Sequence, residues 1–372
     1  PLRYRRVLLA LLMPRSKNAR LASAAIFRCG GLTTNIEETS MRYSMRNLSL
    51  SLLALCVLAG GLAIAQDKYK PILDEKEGGI DFQIQGEYTG TVKTDDGEGK
   101  LGVQVIALGD GNFHAVAHIG GLPGDGWDGK EKVEADGKLE DGVVTFERKD
   151  KGKGVLKDGV LTVSDAEGNP VVTLKKVIRK SETLGKKAPE GAVVLFDGKN
   201  ADAFQGGKMT DDGNLMHGCT SKELFGSFDL HLEFQLSYMP YARGQGRSNS
   251  GCYMQGRYEV QVLDSFGLAG KNNECGGIYE IKDPDLNMCF PPLSWQTYDV
   301  EYTEAKYEGE KKIKNATMTV HHNGVLVHKD AELPRGTRAH PVKEGPEPGP
   351  IYFQNHGNPL KYRNIWVVKK DR

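Results

Sequence analysis

Hydrophobic positions in this chain recur mainly at every second residue, in short runs broken by glycine-containing turns. Between Gly86 and Arg179 the runs include Glu87–Lys93, Leu101–Leu108, Asn112–Ile119, Val143–Arg148, Val160–Ser164 and Val171–Val177. The breaks carry Asp95-Asp96-Gly97, Gly109-Asp110-Gly111, Glu140-Asp141-Gly142 and Asp158-Gly159. A period of two turns one face of each run toward a core, and Asp-Gly supplies the positive φ angles that tight hairpins demand. The pattern predicts a meander of antiparallel strands, built as an open sandwich or a small barrel. The alternation resumes beyond a polar, Lys-rich stretch at 181–190 that reads as a linker. There Leu230, Leu232, Phe234 and Leu236 alternate with polar residues, as do Tyr258, Val260 and Val262, and Ile351 and Phe353. Asn323-Gly324 between Met318–His322 and Val325 is the strongest hairpin signal of the chain. No stretch of twelve or more residues shows helical periodicity with caps, so residues 191–372 suit a two-sheet jelly roll.

One segment breaks the pattern. Residues 41–65 place Arg42 and Arg46 before an apolar run, Leu48–Leu58, and end in Ala63-Ile64-Ala65. This is the layout of a secretory signal peptide. Leu48 to Ala65 is at the lower length limit for a membrane span, but the Gly60-Gly61 break and the Ala-x-Ala end favour cleavage near Ala65. Residues 1–40 show no globular pattern and read as sequence upstream of an initiator at Met41 or Met45. The expected division is therefore a leader at 1–65, an antiparallel β domain at 67–180, the linker, and a jelly roll at 191–372. The product would be exported to the periplasm, cell surface or medium, with no membrane span left.

Composition sharpens this division. The chain has 46 Gly but only 16 Pro and no Gly-X-Y period, which excludes collagen-like structure and fits dense turns. Its 49 basic and 49 acidic residues cancel. Loss of residues 1–65 removes nine basic and two acidic side chains, leaving 40 against 47 and a net charge of −7. That balance argues against nucleic acid as a partner. Of six cysteines, Cys219, Cys252, Cys275 and Cys289 remain, and no CxxC occurs. Cys275 and Cys289 enclose a short Gly/Pro/Asp-rich segment and are the expected disulfide, with free buried thiols the alternative.

Familiar catalytic signatures are missing: there is no GxSxG, no phosphate-binding GxxxxGK[ST] and no HExxH. The stretch Asp283–Asn287 imitates a calcium loop but has Met288 at its sixth position and Ser294 at its twelfth. In the first β region His114 and His118 share a strand face without a third ligand, and nothing there suggests chemistry. Polar residues of the second region are more telling. Arg257, Glu259 and Gln261 form one face of a predicted strand, and Gln354 and His356 one face of another. Carboxylates and amides with an aromatic such as Tyr258 or Trp295 nearby are the mixture that sugar sites use, Trp295 being the more core-like of the two.

Phe196-Asp-Gly198, Asn249-Ser-Gly251, Tyr258-Glu-Val-Gln-Val-Leu-Asp264, Trp295-Gln-Thr-Tyr298, Asn323-Gly324, Gly349-Pro-Ile-Tyr-Phe-Gln-Asn-His-Gly357 and Tyr362-Arg-Asn-Ile365 follow one another in fixed order. As a set they resemble the 3-keto-disaccharide hydrolase domain of secreted bacterial proteins, over about residues 189–370. The resemblance implies an all-β fold: a concanavalin- or laminarinase-like jelly-roll sandwich, here preceded by a smaller antiparallel β domain. It also implies cleavage of glycosides or oligosaccharides oxidised to a ketone at C3. Mapped onto this chain, it implies Glu259 and His356 as the reactive pair, one acting as base and the other as acid or as ligand of one divalent metal ion. Asn249, Gln261, Asp264, His217, Gln354, Arg363 and Tyr258 are the implied substrate contacts or supports, with Arg363 alternatively a structural partner of Asp264 or Glu259. The family's Asp beside the histidine is Asn355 here. A non-catalytic, lectin-like glycan-binding module is the competing expectation. The sequence leaves the oligomeric state open.

Overall fold

The computed structural model describes residues 69–94, 97–148 and 151–370. The leader expected at 1–65, with Cys29 and Cys56, lies outside the described residues. Among those described, no helix is long and apolar enough to cross a membrane.

The N-terminal meander closes into a barrel of eight antiparallel strands, each paired with its neighbours in sequence. The first strand, Gly86–Thr94, pairs with the last, Pro170–Val177, through Glu87 opposite Val177. Closure leaves no free edge, which antiparallel sheets must otherwise protect. The turns are those the sequence announces: Asp110-Gly111, Asp141-Gly142 and Asp158-Gly159 all carry positive φ at both residues. Inside, Val105, Ala107, Phe113, Val144, Phe146 and Leu174 are fully or nearly fully buried.

The second region is a sandwich of two antiparallel sheets. One has five strands, in the order Phe204–Gln205, Cys219–Ser221, Tyr352–Phe353, Asn249–Met254 and Tyr258–Leu263. The other has seven, with Phe228–Leu236 at its centre between Leu360–Lys369 and Trp295–Thr303. Their facing sides interdigitate: Phe353 stacks on Tyr362 with centroids 4.3 Å apart, and Tyr258 packs against Tyr302 at 5.9 Å. Asn323 and Gly324 form the expected hairpin, with φ of 54° and 83° and His322 opposite Val325.

The segment 181–190, read as the linker, is laid along the outer side of the seven-stranded sheet. Ser181 and Thr183 hydroxyls meet that of Thr297 at 2.6 and 2.8 Å, and the Gly185 amide donates to Glu233 at 2.6 Å. The disulfide expected between Cys275 and Cys289 is not formed. All four described cysteines are free and buried. Each of the two has other partners: Cys275 Sγ lies 3.1 Å from the Tyr298 hydroxyl, and the Cys289 thiol faces the carbonyls of Leu263 and Phe290. Their segment is fixed without a cross-link by Ser265 Oγ on the Cys275 amide and by the Asn287 side chain on the Ser265 and Leu268 carbonyls.

Candidate active site

Register decides which side chains of the five-stranded sheet meet. Cys219, Phe353, Cys252 and Val260 are opposite one another and face the core, so Thr220, Tyr352, Tyr253 and Glu259 form the next row on the outer face. Side chains two residues along share that face, which brings Gln354, Gly251, Gln261 and Asn249 onto it. The local cause is the turn at Gln255-Gly256, with φ of 52° and 62°, which folds Tyr253 back opposite Glu259.

Glu259 is the centre of this face. Its carboxyl Oε2 accepts from the Tyr253 hydroxyl at 2.7 Å, and that hydroxyl accepts from Gln354 Nε2 at 3.1 Å. Its amide donates to Thr337 Oγ1 at 3.0 Å. The other carboxyl oxygen leans over Gly251, where an added Cβ would lie 2.1 Å from it. Glycine is therefore needed here for space, not for backbone conformation. Burial pushes the Glu259 carboxyl up to about 8, against the Tyr253 hydrogen bond, with Glu280 adding to the rise. Tyr253 is in turn held well above the ordinary phenol value by burial and by that carboxylate.

Toward the other end of the face, amides replace the carboxyl. Asn249 Nδ2 donates to Gln245 O and Oε1 at 2.9 and 3.1 Å, and Gln261 Nε2 donates to the same Oε1 at 3.1 Å. Asn249, Gln261 and Glu259 are all at most 2% exposed, so this polar face is roofed rather than open to solvent. Half-buried Tyr352, whose ring lies 5.3 Å from that of Tyr253, together with Gln354 and Tyr279, leads from it to solvent.

The remaining candidates fall elsewhere. His356 is exposed beyond the end of the Tyr352–Phe353 strand. His217 precedes Gly218, which abuts Asn355, and both its ring nitrogens are shielded without a hydrogen-bond partner. Tyr258 is turned to the core by the alternation that exposes Glu259 to the outer face; its hydroxyl donates to Glu344 at 2.6 Å, so it is no sugar platform. Asp264 is fully buried and paired with Arg247 at 2.6 Å, a structural ion pair rather than a substrate contact. Arg363 lies on the opposite sheet, bonded to Glu233 at 2.7 Å and 3.8 Å above the Trp295 ring; neither Asp264 nor Glu259 is its partner. Tyr253, Tyr352 and Gln245 were absent from the sequence-based set. The first two stood two residues along from Gly251 and Gln354 on the same face, a signal that strand periodicity contains.

For a metal ion the fit is poor. Among the described residues, no group of three or more His, Cys, Asp or Glu side chains could hold one, and the Glu259 carboxyl already has Tyr253 as its partner.

Residues 191–368 match the model of the 3-keto-alpha-glucoside-1,2-lyase-like domain. This part of the chain belongs to that family. Two solved structures are similar, both of proteins assigned as glycosyl hydrolases from Parabacteroides distasonis. The one solved at 2.13 Å shares 30% identity over 49% of this chain and 85% of its own, with a TM-score of 0.45. The one solved at 1.70 Å shares 18% identity over 52% and 99%, with a TM-score of 0.37. Comparison with curated proteins gives no match. Membership of the lyase-like family supports a carbohydrate-active, hydrolase-like role for the sandwich.

Proposed function

We propose that the protein cleaves 3-keto-glycosides, with Glu259 as the general base. A ketone at C3 acidifies the C2 proton. Glu259 takes that proton, the C–H electron pair forms the C1=C2 bond, and the C1–O bond breaks. The departing oxygen picks up a proton, and the sugar is left as a 1,2-unsaturated 3-ketone. Water then adds at C1 while C2 regains a proton, so the net change is hydrolysis. The base need not face a second carboxylate across the glycosidic bond, as ordinary glycosidases require. What supports the reading is the buried Glu259 carboxyl, held by Tyr253 and Gln354 on a polar sheet face whose floor is the bare backbone of Gly251. A base of this kind works best with its pKa near the working pH. His356, exposed beyond the end of the Tyr352–Phe353 strand of the same sheet, is the proposed acid for the leaving oxygen.

The test is to incubate the purified protein with a 3-keto-disaccharide and with its unoxidised parent, and to follow monosaccharide release with and without added divalent metals. Release from the keto sugar alone is expected. Release from neither would reject the proposal, and saturable binding without turnover would leave a lectin-like module in its place.

A further inference from the structure

The segment joining the strands Phe228–Leu236 and Asn249–Met254 is gripped from outside the sandwich. Tyr238 and Ile72 exchange both backbone hydrogen bonds, at 2.9 and 3.0 Å, and the Tyr238 ring lies 5.2 Å from that of Phe82. The Tyr241 hydroxyl donates to Asp110 in a barrel hairpin at 3.2 Å, and its ring packs so closely on Gly109 that an added Cβ would lie 2.4 Å away. Arg243 reaches the barrel carbonyl of Leu108 with Nη2 at 3.0 Å, while Nη1 donates to the carbonyls of Pro240 and Ala242 in its own segment. Two residues later comes Gln245. Its carbonyl and Oε1 hold Asn249, its Oε1 also holds Gln261, and its Nε2 donates to Asn273 O at 2.6 Å. Gln261 is two residues from Glu259 on the same strand face, opposite Gly251.

We infer that the barrel is a positioning element for the Glu259 face: through Tyr241 and Arg243 it fixes Gln245, which sets the Asn249 and Gln261 amides beside the proposed base. An appended domain with independent work would need only a tether. Here the hairpin Leu108–Asp110 is instead bonded to residues two and four positions from the side chain that organises the amide end of the face. Tyr241 and Arg243 are positioning residues, and no contact with substrate is assigned to them. The effect on turnover rests on the proposed function, whereas the fixing of Gln245 does not.

The experiment compares the purified protein with the Tyr241→Ala/Arg243→Ala double variant, with Arg243→Lys, and with Gln245→Ala. Both altered side chains of the double variant are partly or largely exposed, so its fold is retained, and unchanged exchange in barrel peptides checks this. Amide hydrogen exchange of peptides covering 244–250 needs no ligand and is expected to quicken about tenfold or more in the double variant, as local opening becomes easier. With 3-keto-disaccharide, KM should rise about tenfold, the scale of one lost hydrogen bond, with kcat within about twofold. Arg243→Lys should recover part of the loss. Adding Gln245→Ala to the double variant should cost clearly less than the sum of the two, because the double variant acts on the Glu259 face through Gln245. Wild-type exchange over 244–250 in the double variant overturns the inference, and so does additivity with Gln245→Ala. If the unaltered protein cleaves no keto sugar, the proposed function fails and the exchange comparison alone decides the role of the barrel.

Discussion

The Glu259 carboxyl is 2% exposed and has one hydroxyl, that of Tyr253, to stabilise its charge. Burial therefore outweighs the hydrogen bond, and the group titrates near 8. If it is the base, kcat/KM should rise with pH and level off above about 8; a profile flat from pH 6 to 9 would exclude that role. Its folding contribution has the opposite sense. Because the folded pKa is raised, the unfolded chain ionises first, and stability falls as pH rises from the ordinary carboxyl value of 4.5 through about 8. Glu259→Gln keeps an acceptor for Tyr253 and removes the charge. It should abolish turnover by about 10² or more yet raise the melting temperature at pH 8, which a purely structural glutamate would not do. Gly251→Ala tests the floor beneath it. The new Cβ would land 2.1 Å from the carboxyl oxygen, so turnover should fall with the protein still folded, as circular dichroism and a substrate assay would show. Glu259, Gln261 and Gln354 were legible in the sequence because strand alternation puts them outward. Tyr258 was misplaced for the same reason, since a residue next to Glu259 in a strand must point the other way.

Among the elements, the strap at 181–190 is the one whose behaviour the charges predict. His231 is fully buried on the central strand, with Nδ1 2.9 Å from Asp299, Nε2 3.8 Å from Glu233, and Trp366 stacked on its ring. Lys186 of the strap bonds Asp299 at 2.8 Å, Asn364 donates to both Glu233 and the Lys186 carbonyl, and Arg363 closes the group on Glu233. Burial opposes the His231 charge, but the two carboxylates prevail and its pKa is raised. The same partners hold Glu233 and Asp299 down to about 2, against burial. The His231 share of stability is thus complete below the ordinary 6.5 and lost as pH rises through the raised value, while the carboxylate share is lost only in acid, below about 4. His231→Gln should flatten the alkaline side of the stability–pH curve and speed tryptic cleavage at Lys186–Lys187; unchanged cleavage would show that the strap is held by other contacts. Its composition, SETLGKKAPE, disclosed none of this, because each bond goes to a residue distant in sequence. Strand legibility had a similar limit. Asp-Gly turns marked the hairpins, but Lys132–Glu140 and Gly152–Lys157 bury little beyond Val133 and Leu156, so their alternation is carried by Ala, Gly and a few half-buried positions.

At the scale of the whole molecule, the two cores exchange members. Ile106 and Val116 of the barrel belong to the sandwich core, and Tyr238 and Leu293 of the sandwich belong to the barrel core. Gly267 fits against Ile106, where an added Cβ would lie 2.4 Å away, and Gly124 against Met288 at 2.7 Å. Arg179, at the exit from the barrel, ties these surfaces together. Its guanidinium bonds both oxygens of Glu87, at 2.6 and 2.5 Å, and the Pro123 carbonyl at 2.6 Å, and it sits 5.0 Å above the Phe290 ring of the sandwich. Cores shared in this way couple the unfolding of one part to that of the other, so the described region should melt in a single calorimetric transition, with van't Hoff and calorimetric enthalpies that agree. Arg179→Ala leaves the Glu87 carboxylate buried with Gln104 as its remaining partner. Removing one member of such a pair costs about 3–5 kcal/mol. The loss should lower the one transition without splitting it, since the apolar interface is untouched. Two resolved transitions in the unaltered protein would instead show that the barrel and the sandwich fold as separate units joined by contacts too weak to couple them.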